Sequence, residues 1–270
     1  MVGMDVVQKF LFPPPPSIFV NAMSFISFGS LANTGFSEFR GIHLKYSKFF
    51  NISQKNPTPR KQIQIPSRIG MLMFYTPAVL FGAVSFFIFP DEGLRFFLLR
   101  LALTIHFLKR VLEVLFVHKY GNSGIALEDA IPITLSYFLS TVTMIYAQHL
   151  SSEFPEPSVD LKYAGVALFL LGIGGNLYHH YILATLREKG EKEYKIPRGG
   201  LFNQVICPHY LFEVLGFVGV SCIAQTLYSL SFAAGTALYL LGRSYATRKW
   251  YLSKFEDFPQ NVKAMIPFVF

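Results

Sequence analysis

Long apolar stretches alternate with short polar segments over most of the chain. A helix needs roughly 20 consecutive, mostly apolar residues to cross a membrane. A window of that length finds seven such segments, at about residues 16–34, 69–89, 95–117, 129–148, 163–184, 203–222 and 226–243. We therefore predict an all-α fold, a polytopic membrane protein with about seven transmembrane helices.

The composition agrees with a lipid environment for these segments. Apolar residues make up 52% of the 270 residues, charged residues only 15%, and the mean hydropathy is +0.39. A soluble domain would carry about 25% charged residues. The net charge of +8 is expected to mark membrane topology, and no nucleic-acid partner is predicted, because no basic-aromatic recognition motif accompanies it. The two cysteines, Cys207 and Cys222, cannot build a disulfide framework.

The polar connections are alternately basic and non-basic. Basic residues crowd the segment 40–68, the loop 187–198 and the C-terminal tail, whereas acidic residues fill the stretch 153–160. The positive-inside rule then predicts a lumenal N-terminus and a cytosolic C-terminus. Asn51 begins a glycosylation sequon but lies in the first basic segment, so we expect it to be unmodified. The run Pro13–Pro16 interrupts the apolar core of a cleavable signal, so we expect the first helix to be retained.

The third segment contains charges where lipid is expected. His106, Lys109, Arg110 and Glu113 interrupt it, and each charge costs about 3 kcal/mol near a helix centre on the insertion scale. Lys109 and Glu113 are spaced to pair one turn apart. One interpretation is a helix end whose side chains reach toward the interface, with one ion pair. The other is a polar site that opens to the cytosol.

Polar residues also recur at the predicted cytosolic ends of the fifth and sixth segments. Asn176, His180 and Arg187 share one helical stripe, and His209 and Glu213 stack one turn apart, with Tyr210 beside them. Together with the third segment, they predict a cytosol-facing pocket within the membrane domain.

Two other motifs do not support a site. The glycines of the segment Gly172–Gly175 resemble a dinucleotide-binding turn, but no strand precedes them, so tight helix packing is the expected role. The seven histidines are too scattered for the repeated clusters of membrane di-iron enzymes, and we predict no metal.

Several stretches resemble the steroid 5α-reductase family. The segment GNLYHHYILATLREKGEKEYKIPRGGLF, the Glu213 helix and the C-terminal RKWYLSKFEDFPQNVKAMIPFVF are similar to that family's C-terminal domain, and the FPPPPSIFV start is similar to its plant members. The third segment, HFLKRVLEVLFVHK, is more similar to the related trans-2-enoyl-CoA reductases. The resemblance implies one membrane unit, with N-terminal helices and a basic loop in residues 1–120 and a reductase-like domain in 121–270. It also implies the endoplasmic reticulum membrane.

The resemblance further implies NADPH at the cytosolic side. Carried over position by position, the cofactor-binding residues would be Arg110, Lys119, Asn176, His180, Arg187, Tyr194, His209, Glu213, Arg243, Tyr251 and Lys263. Cationic groups suit the dinucleotide phosphates, and fixed donors and acceptors suit its amide. The steroid enzymes have an acid at the position of His180 and an amide at that of His209.

The catalytic positions depart further from the family pattern. A glutamate and a tyrosine polarise the 3-oxo group in the steroid enzymes, and the aligned residues here are Tyr75 and Phe107. Enone reduction needs a donor to the carbonyl oxygen and a proton for the carbon skeleton. Tyr75 is one candidate donor. Tyr210, aligned with a tyrosine proposed as proton donor in the enoyl-CoA reductases, is the other. An interfacial or packing role is the alternative for each.

The leading functional prediction is NADPH-dependent reduction of a 3-oxo-Δ4-steroid, with the substrate expected between the second, third and sixth helices. Reduction of a very-long-chain enoyl-CoA is the first alternative, and Lys109, Arg110 and Tyr210 favour it. Polyprenol reduction is a further alternative. A membrane methyltransferase, suggested by Pro208, His209 and Tyr210 before Glu213, and a non-catalytic scaffold are alternatives from other classes.

Overall fold

The computed structural model describes residues 8–43, 63–90, 93–120, 124–186 and 193–270. Seven α-helices of 17 residues or more lie in these ranges, with one π-helical turn, one 3₁₀ turn and one short antiparallel ladder. In chain order the helices are α1 (Ile18–Phe39), α2 (Ser67–Ile88), α3 (Gly93–Leu112), α4 (Leu127–Ser151), α5 (Lys162–Thr185), α6 (Pro208–Ala224) and α7 (Leu227–Lys254). The ladder pairs β1 (Gln64–Pro66) with β2 (Gly124–Ala126). The mostly helical fold is thus confirmed, apart from this short ladder.

Each segment predicted from hydropathy coincides with one of these helices. Among the described residues, three of them, α2, α4 and α5, are long and apolar enough to cross a membrane by length and composition, and α6 is apolar but shorter. The prediction differs most at the last helix. It ends the helix near residue 243, but α7 continues to Lys254 through a charged stretch.

On α3, several charged residues are buried and many apolar residues face outward. Arg95, Arg100 and Lys109 are buried, with at most 9% of their surface exposed. The outward-facing residues are apolar instead: Leu94, Phe97, Leu101, Ile105, Leu108 and Leu112. A helix in water buries its apolar stripe, so the reverse arrangement on α3 is typical of a helix that faces lipid.

Glycines allow α5 and α6 to pack in close contact. A methyl group added at Gly172 would lie 2.4 Å from the backbone nitrogen of Gly216, and one at Gly219 would lie 2.4 Å from that of Phe169. Such separations are possible only for residues without a side chain. The expectation that the glycines of the segment Gly172–Gly175 serve helix packing is therefore confirmed at Gly172.

Glycines also allow α1 and α7 to pack in close contact. A methyl group on Gly242 would lie 2.2 Å from the carbonyl oxygen of Gly35. One residue further along α7, Arg243 donates to the buried carboxylate of Glu38 on α1 at 2.8 Å, and Glu38 also contacts His43 at 2.5 Å. Close packing and one buried ion pair therefore fix α1 against α7.

A second buried cation holds the opposite ends of several helices together. Arg95 at the start of α3 donates to Glu156, Asp160, the carbonyl of Ile223 and the side chain of Gln225. Gln225 adopts a left-handed backbone conformation (φ 50°) between α6 and α7, and its amide donates to Phe10 and Val159 carbonyls. These contacts link the N-terminal segment, the α4–α5 connection and the α6–α7 turn.

Asp160 remains ionised in this arrangement. Burial acts to raise its pKa, but hydrogen bonds from the side chain and backbone of Lys162, together with the charge of Arg95, lower that pKa to about 2. Arg95 therefore has a carboxylate partner over the whole physiological pH range.

The close α5–α6 contact leads to a prediction about two glycines of the same helix. Gly172→Ala should lower the free energy of unfolding by about 1–3 kcal/mol, because the added methyl overpacks the contact with Gly216. Gly174 has no atom within 4 Å of an added methyl, so Gly174→Ala should be neutral or stabilise the helix by up to about 1 kcal/mol. Thermal unfolding of the purified protein in detergent compares the two variants. Equal midpoints for Gly172→Ala and the parent would refute the packing role.

Candidate active site

A buried carboxylate, Glu113, lies at the centre of the polar cluster. Its side chain is 1% exposed and contacts Lys109 at 3.0 Å, Arg110 at 3.0 Å and Nδ1 of His180 at 2.9 Å. The predicted pairing of Lys109 with Glu113 is confirmed, and both side chains lie inside the protein instead of reaching toward its surface. A buried charge needs partners of opposite sign, and here one carboxylate serves two cations and an imidazole.

A change in helix geometry accompanies this cluster. The last turn of the third apolar segment, Glu113–Val117, is a π-helix, and the backbone N–H of His118 donates to the carbonyl of Glu113 at 2.7 Å. Single π-turns occur often at functional sites, because the extra residue per turn changes where side chains point. Nothing in the apolar pattern of this segment predicts the π-turn.

Tyr75 reaches the cluster from α2. Its hydroxyl accepts a hydrogen bond from Arg110 at 2.8 Å, the guanidinium lies 4.9 Å from its ring centre, and the residue is 4% exposed. Arg110 thus bridges the phenol of Tyr75 and the carboxylate of Glu113. The interfacial alternative for Tyr75 does not describe this position, since the hydroxyl is buried against a cation.

Asn176 connects the cluster to α6. Its amide group donates to the carbonyl of His209 at 2.7 Å and to Glu213 at 3.0 Å, while its carbonyl oxygen accepts from Lys109. The cluster therefore contains two cations, Lys109 and Arg110, and two carboxylates, Glu113 and Glu213, so that the charges are balanced within the protein.

A polar pocket of about 370 Å³ opens beside the cluster. It is lined by His118, Lys119, Tyr120, His180, Leu183, Ala184, Leu186, Tyr194, Lys195, His209 and Tyr251. Two lysines, three histidines and three tyrosines contribute, and these lining residues include no carboxylate. The ring of His180 lies 5.2 Å from that of His118 and 5.3 Å from that of His209. Such a set of donors suits an anionic, aromatic ligand.

Two pocket residues that follow the π-turn, His118 and Tyr120, are uncharged at neutral pH. Burial, followed by the charges of His180 and Arg110, lowers the pKa of His118 to about 3. Burial also raises the pKa of Tyr120 to about 12. His118 therefore offers one donor and one acceptor nitrogen, and Tyr120 keeps its hydroxyl proton.

An apolar cavity, also of about 370 Å³, lies on the other side of the cluster between α1, α4, α6 and α7. Glu213 and Tyr137 form part of its wall, and the ring of Tyr137 lies 5.4 Å from that of Tyr75. The sequence interpretation expects the substrate between the second, third and sixth helices, and of these three only α6 contributes residues to this cavity. At Gly82, α2 and α3 are in close contact, since a methyl there would lie 2.6 Å from the hydroxyl of Thr104. The location of the substrate stays a prediction.

Comparisons with known proteins identify the family of this chain. The family model for 3-oxo-5-alpha-steroid 4-dehydrogenase matches residues 130–270, more than half of the chain. The chain belongs to that family. The resemblance drawn from its motifs is thereby confirmed.

Relatives in the family bear two kinds of name. A 3-oxo-5-alpha-steroid 4-dehydrogenase 2 from Macaca fascicularis is 38% identical over 135 residues, 49% of this chain and 52% of the relative. A probable very-long-chain enoyl-CoA reductase from Caenorhabditis elegans is 30% identical over 213 residues, 76% of this chain and 68% of the relative. A steroid 5-alpha-reductase from Gossypium hirsutum is 39% identical over 108 residues, 40% of this chain and 42% of the relative. The chain spans about half the length of the relatives named 3-oxo-5-alpha-steroid 4-dehydrogenase 2 from Macaca fascicularis, Homo sapiens and Sus scrofa.

Most of the residues expected to bind the cofactor lie together. Lys119, His180, Tyr194, His209 and Tyr251 line the polar pocket, and Arg110, Asn176 and Glu213 belong to the adjacent cluster. Sequence reasoning missed Lys195 and Tyr120 in the pocket. It placed Glu113 among the polar residues of the third segment but gave it no catalytic or cofactor-binding role.

Three expected site residues are not among those that line the polar pocket, although the ring of one of them, Tyr210, lies 4.3 Å from that of His209. A fourth lies outside the described residues. Arg243 pairs with Glu38 in the α1–α7 contact. Lys263 forms a backbone bridge to Val205, and Tyr210 packs against an apolar cluster that includes Tyr251. Arg187 is not among the residues that the structure describes.

Three side chains have the spacing of a metal site. Glu113, His118 and His180 each place one ligand atom within 4.8 Å of the others. Lys109 and Arg110 already neutralise that carboxylate, so a divalent cation would have to displace two charges. The expectation of no metal stays a prediction.

The central position of Glu113 leads to a prediction about stability. Glu113→Gln removes the charge that Lys109 and Arg110 share and should lower the free energy of unfolding by about 3–5 kcal/mol, because two buried cations lose a partner. Glu153→Gln, on an exposed residue, is the matched control and should change it by less than about 0.5 kcal/mol. Thermal unfolding in detergent measures both. A Glu113→Gln protein as stable as the control would contradict the role of the carboxylate.

Proposed function

We propose that this protein is a membrane-embedded, NADPH-dependent reductase of a conjugated carbon–carbon double bond in a lipid, most specifically of a 3-oxo-Δ4-steroid. The arrangement of the site carries the proposal. A polar pocket and an apolar cavity flank one buried charged cluster, and Glu213 belongs to both the cluster and the cavity wall. A reductase of this kind needs a cofactor and a lipid to meet at a common set of polar groups.

The polar pocket fits the chemistry of NADPH. Lys119 and Lys195 can bind phosphate oxygens, and the aromatic residues Tyr194 and Tyr251 offer faces and hydroxyls to the rings and riboses. When bound, the cofactor would supply the hydride. The residues His180 and His209, at the boundary with the cluster, would bind and orient its polar groups.

Tyr75 is the proposed donor to the substrate. Reduction of an enone places negative charge on the carbonyl oxygen, and a buried phenol can stabilise that charge and give up its proton. Arg110, 2.8 Å from the phenol oxygen, would then stabilise the phenolate that remains. Lys109 and Glu113 act through Arg110 and His180, because they hold these groups in position.

Enoyl-CoA reduction is the second candidate. A relative named for that activity is 30% identical over 76% of this chain, whereas a 3-oxo-5-alpha-steroid 4-dehydrogenase 1 from Macaca fascicularis, which aligns with 80% of it, is 27% identical. The charged pair Lys109 and Arg110 is a further argument for it, since the sequence HFLKRVLEVLFVHK is more similar to those enzymes.

We also propose seven membrane spans, with the C-terminus in the cytosol and the protein in the endoplasmic reticulum membrane. The apolar outer face of α3 supports counting it as a span despite its charges, because those charges are buried. The alternation of basic connections supports the orientation. A glycosylation reporter fused to the C-terminus should stay unmodified if the orientation is right.

The cofactor assignment predicts the effect of two pocket variants. Lys119→Met and Tyr251→Phe should each raise the apparent KM for NADPH, the first about tenfold to a hundredfold, because a charge-assisted phosphate contact contributes about 1.5–3 kcal/mol. Lys249 is an exposed lysine on α7, so Lys249→Met is the control for the loss of a charge and should leave the KM for NADPH unchanged. Steady-state NADPH oxidation in reconstituted vesicles measures the three. If both pocket variants matched the parent, the pocket would not be the cofactor site.

The catalytic assignment predicts opposite results for two tyrosines. Tyr75→Phe should lower kcat about a hundredfold or more, because it removes a positioned proton donor. It should leave the KM for NADPH unchanged, because the fold and the polar pocket are retained. Tyr210→Phe should keep its activity, since Tyr210 packs against the C-terminal apolar cluster. The assay follows NADPH oxidation with a 3-oxo-Δ4-steroid and a trans-2-enoyl-CoA in parallel. An inactive Tyr210→Phe with an active Tyr75→Phe would reverse the assignment and favour the acyl-CoA substrate.

A further inference from the structure

Three aromatic rings surround a lysine at the end of α7. The Nζ atom of Lys254 lies 5.4, 5.5 and 6.0 Å from the ring centres of Tyr194, Trp250 and Phe255, respectively. The rings also contact one another, since that of Trp250 lies 4.8 Å from that of Tyr194 and 6.3 Å from that of Phe255. A cation within about 6 Å of an aromatic face is attracted by the ring, and most strongly by tryptophan. The four side chains thus form a cation–π cage.

The cage joins two parts of the chain that are distant in sequence. Its lysine and its indole belong to α7, whereas Tyr194 belongs to the stretch 193–198, which forms neither helix nor strand. The hydroxyl of Tyr251, also on α7, donates to the carbonyl of Lys195 in a long hydrogen bond of 3.4 Å. The cage and this hydrogen bond therefore hold an irregular stretch against the end of a long helix.

The stretch that is held in this way forms part of the wall of the polar pocket. Among the described residues, the lining of that pocket includes Tyr194 and Lys195 but neither Trp250 nor Lys254. An irregular stretch has to be ordered before it can bind a ligand, and this ordering lowers the affinity unless the protein has already done it. The cage orders Tyr194 in advance, from outside the pocket.

We propose, on the basis of the cofactor site above, that Trp250 and Lys254 are positioning residues for that site, and that their cation–π cage holds Tyr194 and Lys195 in place for an anionic, aromatic dinucleotide. Both act on the ligand through the pocket wall. The positive charge and the indole face are needed together, so the loss of either one opens the same cage.

The test is a double-mutant cycle on NADPH binding. NADPH is titrated into the purified protein in detergent, and binding is followed by the emission of the cofactor itself. Lys254→Met and Trp250→Leu should each raise the Kd for NADPH about twofold to fivefold, which is the factor that corresponds to an exposed cation–π contact of about 0.5–1 kcal/mol. The double variant should bind like the single ones, because each substitution removes the same interaction.

Two further lysine variants separate the cage from a simple loss of charge. Lys254→Arg keeps a cation over the rings, so its Kd should equal that of the parent. Lys249 is an exposed lysine five residues earlier on α7, so Lys249→Met should also bind NADPH like the parent.

A second measurement reports on the cage without any cofactor. Trp250 is the only tryptophan of the chain, so the intrinsic emission of the protein comes from the cage. In the cofactor-free protein, Lys254→Met should make this emission easier to quench with acrylamide, and Lys254→Arg should not. The thermal midpoint shows whether Trp250→Leu still folds. If it does not, Trp250→Phe replaces it and should raise the Kd by a smaller factor, because a phenyl ring attracts a cation less strongly than an indole.

The outcomes distinguish this proposal from the cofactor assignment on which it rests. A parental Kd in Lys254→Met or in the Trp250 variant overturns the cage, and so does equal acrylamide quenching in the parent and Lys254→Met. Single effects that multiply in the double variant also overturn it, because Lys254 would then act on NADPH through its charge alone. Each of these results leaves the NADPH site in place. A parent protein that does not bind NADPH overturns the cofactor assignment and this proposal together.

Discussion

Charge compensation inside a medium of low dielectric is the constraint on which the rest of the site depends. Lys109 and Arg110 lie next to one another on a helix whose outer face is apolar, and neither can be left without a counter-charge there. Glu113 from the same helix and Glu213 from α6 provide two carboxylates, and Asn176 connects them through hydrogen bonds. The relative positions of α3, α5 and α6 follow from this requirement.

The same constraint explains why the polar groups can be functional. In a dry, balanced cluster, each dipole and charge acts more strongly than it would in water, and its orientation is already fixed. Arg110 illustrates the point. It pairs with the carboxylate of Glu113 and at the same time donates to the phenol oxygen of Tyr75. The residue proposed for the chemistry, Tyr75, is therefore oriented by an arginine that also stabilises the fold.

The resemblance implies a difference from the steroid enzymes at the same place. It implies an acid and an amide at the positions of His180 and His209, and in this structure His180 contacts Glu113 at 2.9 Å. A carboxylate in its place would repel Glu113, so the histidine and Glu113 are compatible as a pair. At Tyr75, where the resemblance implies a glutamate in the steroid enzymes, Arg110 donates to the phenol oxygen at 2.8 Å.

Local patterns predicted the helices and most of the cluster, whereas the shape of the cavities required the folded structure. Hydropathy predicts the position of each helix because it depends only on a short stretch of sequence. The pairing of Lys109 with Glu113 is predictable as well, because it depends only on their spacing of four residues along one helix. The wall of the apolar cavity depends on which helices touch. That depends on glycines such as Gly82, whose partner Thr104 no spacing rule reveals. Arg243 was assigned to the cofactor from the resemblance, and its ion pair with Glu38, 205 residues away in sequence, is visible only in the folded structure.

The length of α7 has a consequence for how the two ligands would influence each other. Its 28 residues extend about 42 Å, and the helix borders the apolar cavity with Phe232 and Thr236 and the polar pocket with Tyr251. The same helix thus forms part of the wall of the apolar cavity and of the polar pocket, and its glycine contact with α1 limits how it can move. Any tilt of α7 that accommodates a lipid also moves the ring of Tyr251. Where such a movement couples the two compartments, thermodynamic reciprocity makes the effect of each ligand on the affinity for the other equal.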